Sequence, residues 1–98
     1  MATFITTIKF TEKGIAGIKD TVKRASSFKA AAKKMGVNVS NIYWTLGRVD
    51  GVIVFDAKND ETATAAMLHL SRQGNVQTST SRAYDAAEME KVLGMMAK

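Results

Sequence analysis

Ninety-eight residues, 46% of them hydrophobic, suffice for one modest core, so residues 1–98 read as a single domain. With no cysteine and one histidine, the chain excludes a disulfide framework and thiolate chemistry and leaves a transition-metal site without its usual ligands; no cofactor is implied. The net charge is +5, and the N-terminal MATFITTIKF lacks a signal peptide's basic start and apolar block. No apolar run approaches the roughly 20 residues of a membrane span, so a cytoplasmic protein is expected.

Thr3 to Phe10 is rich in β-branched and aromatic residues and predicts a first strand. Phe4, Thr6, Ile8 and Phe10 share one face; Thr3, Ile5, Thr7 and Lys9 share the other. Thr11 is placed to cap a helix, with Glu12 beside its positive end. Ile15, Ile18, Val22, Ala25, Phe28, Ala32 and Met35 then recur at three- and four-residue steps and predict one helix with a core stripe, stopped at Gly36. Lys13, Lys19, Lys23, Arg24, Lys29, Lys33 and Lys34 lie in the same segment. A solvated helix face explains them better than a nucleic-acid footprint, because no exposed aromatic residues interleave with them.

Val37 to Thr45 predicts a second strand and Gly51 to Ala57 a third, joined by the hairpin turn Leu46-Gly47-Arg48-Val49-Asp50-Gly51. Val52-Ile53-Val54-Phe55 is apolar at every position, so both faces of that strand are expected to leave water. Asp60 opens a second helix that runs to about Gln73 and ends at Gly74. Its inner stripe is Ala63, Ala66, Met67 and Leu70, with His69 off centre. Asn75 to Arg82 predicts a hydroxyl-rich fourth strand. Asp85 caps a final helix, Ala86 to Met96, with Met89, Val92, Leu93 and Met96 on one stripe.

This order, with right-handed crossovers, predicts an α+β, ferredoxin-like βαββαβ sandwich with a C-terminal helix. Strands one and three lie in the centre, and both main helices cover one sheet face. The doubly apolar third strand requires the other face to be covered as well, by a second copy packed face to face as a dimeric α/β barrel, or by closure over a buried pocket.

Several segments, taken in order, resemble the GYD domain family of small bacterial proteins: EKGIAGIKD, VKRA, AAAKKMGVNV, IYWTLGRVDGVIVFDA, DETATAAMLHL and GNVQTSTSRAY. The resemblance covers nearly the whole chain and implies the same ferredoxin-like, dimeric-barrel layout, without implying a settled activity. In the motif that names the family, usually Gly-Xaa-Tyr-Asp, this chain has Gly47-Arg48-Val49-Asp50, so no tyrosine hydroxyl stands at Val49.

The candidate ligand-binding residues are Tyr43, Trp44, Arg48 and Asp50 at the hairpin, with Arg82 as an outlying member. Tyr and Trp offer apolar bodies with one polar tip; Arg48 offers a fork for carboxylate or phosphate, which Asp50 would orient. Depending on register, Thr7 with Thr78 and Thr80, or Gln77, Ser79 and Ser81, would line the open sheet face. The expected function is a small homo-oligomeric domain that binds a small molecule at the sheet face. One alternative is a cofactor-free barrel enzyme, a monooxygenase or isomerase, whose proton transfers would rest on Asp50, Tyr43 or His69. A further alternative, RNA binding, lacks the stacking platform: the two stacking positions fall on Val49 and Val52.

Overall fold

In the computed structural model, which describes residues 1–97, the chain runs β1 (Ala2–Phe10), α1 (Glu12–Ala16), a 3₁₀ turn (Ile18–Asp20), α2 (Thr21–Lys34), β2 (Asn38–Trp44), β3 (Gly51–Ala57), α3 (Asp60–Ser71), β4 (Val76–Ala83) and α4 (Ala86–Gly94). Local side chains set the helix starts. Thr11 Oγ1 accepts from the Gly14 N–H at 3.1 Å, Asn59 Oδ1 from the Thr62 N–H at 2.8 Å, and Asp85 and Glu88 cap each other reciprocally. Gly36 and Gly74 end their helices at φ 82° and 81°, the left-handed backbone that glycine adopts without strain.

The four strands lie in the order β2-β3-β1-β4, all antiparallel, with β1 and β3 central as the sequence predicts. This is a ferredoxin-like α+β arrangement. Register pairs Phe4 with Phe55 and Thr6 with Ile53, so alternate residues of both central strands face the helices. There Phe4, Ile8, Ile53 and Phe55 meet Phe28 and Ala32 of α2 and Ala63, Ala66 and Met67 of α3. Phe55 is fully buried and stacks on Phe4 with ring centroids 5.3 Å apart. Small alanines let α3 approach the sheet closely, as the stripe implies. Thr6 is buried among these residues, and its hydroxyl is satisfied by Thr80 Oγ1 at 2.7 Å and Met67 Sδ at 3.3 Å.

The opposite sheet face carries Ile5, Thr7, Val52 and Val54 on the central strands, with Asn41 and Tyr43 on β2 and Gln77, Ser79 and Ser81 on β4. The core residues of α2 and α3 pack on the other face, and Ile5 and Tyr43 are exposed on this one. Val52 and Val54 are half-buried, so the second apolar set of β3 does point to this open side.

The helix expected from Thr11 to Gly36 is not continuous. It stops at Ala16, passes through the 3₁₀ turn and restarts at Thr21. The cause is a strap between α1 and the α3–β4 connection: the Thr11 N–H donates to the Asn75 carbonyl at 3.1 Å, Thr11 Oγ1 to Gly74 O at 2.5 Å, and Lys13 Nζ to Gln73 O at 2.6 Å. Gly14 lies so close to the Asn75 carbonyl that any Cβ there would collide with it. Fixed in this way, α1 is out of phase with α2. Phe28 and Ala32 serve the core as expected, with Met35 packed against it and Ala25 half-buried, but Ile15, Ile18 and Val22 turn outward. The β2 strand carries one bulge, with Ser40 as the extra residue between Val39, which faces Phe55, and Asn41, which faces Val54.

Candidate functional site

The hairpin loop is braced across its neck: the Thr45 N–H donates to Asp50 O at 2.9 Å, and Thr45 Oγ1 to Val49 O at 2.6 Å. Its reversal passes through Gly47 at φ 123°, which only glycine takes without strain. Asp50 extends the sheet beyond the end of β3: its N–H donates to Ile8 O at 2.8 Å, and its carboxylate accepts the Phe10 N–H at 2.8 Å. That carboxylate is committed to strand pairing. Val49, at the position of the family's tyrosine, contributes its carbonyl to the same brace.

Tyr43 and Trp44 are adjacent in β2 and therefore face opposite sides of the sheet. Tyr43 stands on the open face, its hydroxyl accepting from Asn41 Nδ2 at 3.1 Å. Trp44 leans over the start of α2 and donates from its indole N–H to Thr21 Oγ1 at 3.0 Å. Arg48 is exposed and makes no hydrogen bond or ion pair among the described residues. Arg82 lies at the far end of the sheet, paired with Phe4, while Asp50 bonds to Ile8 and Phe10. By register the two stand five β1 residues apart, about 17 Å along that strand. The five candidates therefore divide into a hairpin end, Trp44 with Arg48 and Asp50, an open-face tyrosine, and a distant arginine.

Arg82 is a structural clamp in its own right. Its guanidinium donates to Thr3 O at 3.1 Å, to Ala83 O and to Glu88 Oε2 at 3.2 Å, and it lies over the Tyr84 ring at 4.7 Å. The Asp85 N–H, and then Arg82, hold the Glu88 carboxyl below its ordinary pKa. Register resolves the hydroxyl sets: Gln77, Ser79 and Ser81 join Thr7 on the open face, whereas Thr78, Thr80 and Arg82 face the helices. His69 sits half-buried on α3 beside Met35 and Leu68. Among the described residues no three His, Cys, Asp or Glu side chains converge as a metal would need.

Between α2 and the sheet lies a cavity of ≈ 60 Å³, walled by Phe28, Ile53, Leu70 and Trp44 with Arg24 and Asp50 at its polar side. Arg24 is itself engaged, donating to Gly17 O at 2.7 Å. Ligand pockets run to roughly 300–1,000 Å³, so this space suits water and not a substrate.

A different feature dominates this end of the molecule. Ile18, Val22, Trp44 and Leu46 are all exposed, Val22 at 65% and Leu46 completely. The indole–Thr21 bond brings the β2 end and the α2 start into one surface. Lys19, Asp20 and Lys23 lie beside Ile18 and Val22 along the chain and Arg48 two residues from Leu46, each exposed. The helical stripe places Ile18 and Val22 in the core and so hides this surface from the sequence. The available signal is the pair Gly14 and Gly17, two weak helix formers inside one helical stripe.

The model of the GYD domain matches residues 4–93. The chain belongs to the GYD domain family. Among GYD relatives, a Thermus thermophilus protein named glutamine synthetase and cystathionine beta-lyase binding protein is 32% identical over 90 residues, covering 91% of this chain and 95% of its own. A crystal structure of a Thermus thermophilus protein superposes with a TM-score of 0.57 at 19% identity, over 88% of this chain and 96% of that one. An ACT domain protein from Streptococcus pneumoniae gives 0.52 at 22%, over 85% and 90%. A de novo designed ferredoxin-fold protein gives 0.52 at 10%, over 87% and 86%. The three structural likenesses concern the fold alone. Among the described residues of this GYD protein no helix is long and apolar enough to cross a membrane.

Proposed function

We propose that this GYD protein is a cytoplasmic binding module that pairs with a second copy through its open sheet face, as a dimeric α/β barrel. Its hairpin end would dock a protein partner. The observation that carries this reading is the set of exposed apolar residues Ile18, Val22, Trp44 and Leu46, joined by the Trp44–Thr21 bond, with the exposed Lys19, Asp20, Lys23 and Arg48 near them in the chain. Monomeric proteins seldom leave contiguous large apolar side chains in water, and a Trp anchored by a hydrogen bond and edged by basic groups has the make-up of a binding hot spot. Three basic side chains against the single acid Asp20 favour an acidic partner surface. The relative whose name records binding to glutamine synthetase and cystathionine β-lyase makes metabolic enzymes the first partners to try.

The pairing of copies is supported by Val52, Val54 and Ile5, which form an apolar band on the face opposite the α2 and α3 core. A hydroxyl band, Thr7, Gln77, Ser79 and Ser81, lies beside it on β1 and β4. This favours a small polar ligand between the paired sheets as a second reading.

The test immobilises glutamine synthetase and cystathionine β-lyase from the same organism and measures binding of wild type and of Leu46→Ser. Leu46 contributes nothing to the core, so the variant keeps its melting temperature. Loss of a central anchor costs about 2 kcal/mol or more, roughly a 30-fold weaker Kd. Binding that is absent for wild type, or equal for both proteins, refutes the docking surface. Sedimentation of wild type and Val54→Lys tests the sheet face separately: a dimer that becomes a monomer is expected, and a monomeric wild type refutes the pairing.

A further inference from the structure

The open sheet face carries two charged side chains, opposite in sign and far apart. Alternation along β1 places Lys9 on this face after Ile5 and Thr7, and Asp56 follows Val52 and Val54 along β3. The remaining positions that the register gives this face are apolar or neutral. Asp56 pairs with Thr3, so the two charges sit six β1 residues apart, about 20 Å, at opposite ends of the face. Lys9 is exposed; Asp56 is half-buried, its carboxylate accepting the Thr3 hydroxyl at 2.6 Å. Neither has an ion-pair partner among the described residues.

An apolar centre with a cation at one end and an anion at the other is self-complementary in one orientation only. Two copies stacked face to face in aligned packing share a two-fold axis that lies between the sheets and runs either along the strands or across them. Along the strands, each end of the face meets the same end of the second copy: Asp56 approaches Asp56, and Lys9 approaches Lys9. Across the strands the ends are exchanged, and β1 lies over β1 and β3 over β3. An axis through the centre of the apolar band, level with Thr6, then sets Val52 over Val54 of the second copy and Lys9 over Thr3, one strand from Asp56. A strand spacing of about 4.8 Å and a sheet separation of about 10 Å leave that carboxylate within reach of a lysine side chain. In the same arrangement β2 lies over β2, so Tyr43 stands over Asn41 of the second copy, two groups that already bond within each chain.

We infer that two copies pair with their two-fold axis across the strands, locked at both ends by Lys9 of one copy on Asp56 of the other. This rests on the pairing of copies proposed above and names its orientation and the residues that set it. Thr3 bonds Oδ1 of Asp56 and leaves Oδ2 for the incoming ammonium. Charges at the edge of an apolar interface act mainly on register and discrimination. Here the same two residues that join in one orientation repel in the other, so the pair both favours the first and penalises the second.

The test is the dimer dissociation constant, measured by sedimentation at low salt for wild type, Lys9→Glu and Asp56→Lys. Each reversal turns two attractions into two repulsions and should weaken the homodimer about tenfold or more. The Lys9→Glu/Asp56→Lys double variant restores both pairs and should return to within about threefold of wild type. An equimolar mixture of the two single variants restores them as well, so native mass spectrometry should find the mixed dimer dominant. Lys9 is no part of the core, so Lys9→Glu keeps its melting temperature and carries the test even if Asp56→Lys fails to fold. A wild-type dimer that Lys9→Glu leaves as tight as before overturns the orientation, and so does a folded double variant no tighter than the singles. A monomeric wild type removes the pairing beneath it.

Discussion

Gly14→Ala should destabilise the protein, although alanine is the better helix former. The added methyl would collide with the Asn75 carbonyl, which cannot yield without opening the strap. Opening it breaks Thr11 N–H to Asn75 O and Thr11 Oγ1 to Gly74 O, two bonds worth about 1 kcal/mol each net. Keeping it closed instead compresses a packed contact, at about 1–3 kcal/mol. Against either route stands a gain of about 1 kcal/mol in helix propensity, leaving a net loss of about 1 kcal/mol when the strap opens. In a domain of this size that lowers Tm by roughly 4–8 °C. Thermal melts followed by circular dichroism measure it directly. Gly94→Ala is the internal control: it has the same chemistry at a helix position where a Cβ meets nothing within 4 Å, so Tm should hold or rise slightly. A Gly14→Ala protein melting at or above wild type would refute the strap as the cause of the broken helix.

Phe55→Ala removes a ring that is wholly buried and stacked on Phe4; it should cost about 3–5 kcal/mol in urea unfolding, and a loss below about 1 kcal/mol would place the core elsewhere. Thr6→Val should change stability by less than about 1 kcal/mol, because Thr80 is exposed and can bond to water when its partner is lost. A large loss would mean that the hydroxyl pair is a fixed part of the core. Glu88 is held below its ordinary value of 4.5, first by the Asp85 N–H and then by Arg82. Its support of α4 is therefore complete above that ordinary value and fades as pH falls through the depressed one. The Asp85 amide proton shift should follow this acid titration, and Glu88→Gln should abolish it.

What was legible in the sequence was local. Thr11, Asp85, Gly36 and Gly74 act within a few residues of themselves, and each marks its helix end as read. The limits of β3 and its two apolar faces were equally readable, because every residue of Val52-Ile53-Val54-Phe55 says the same thing. What was not legible depended on contacts distant in the chain. The phase break between α1 and α2 follows from Asn75 and Gly74, so a stripe that is periodic on paper divides between core and surface. Asp50 reads as a turn residue or a proton acceptor until Phe10 is found bonded to it. Which of Thr78 and Thr80 or Gln77, Ser79 and Ser81 line the open face was undecided because VQTSTSR alternates hydroxyl with hydroxyl, and a polar strand leaves its own register weakly specified.

The bulge at Ser40 bears on what this protein does when concentrated. A sheet edge offers unpaired N–H and C=O groups on which another chain can grow a strand, and a regular edge invites fibres. Here one edge strand is interrupted mid-length, and the Ser40 hydroxyl turns back to its own neighbour, donating to Val54 O at 3.0 Å. A fibre of stacked sheets needs two cooperating edges per molecule; spoiling one terminates growth after a single addition. The chain thus keeps a sticky face while withholding the seam along which amyloid-like order would spread.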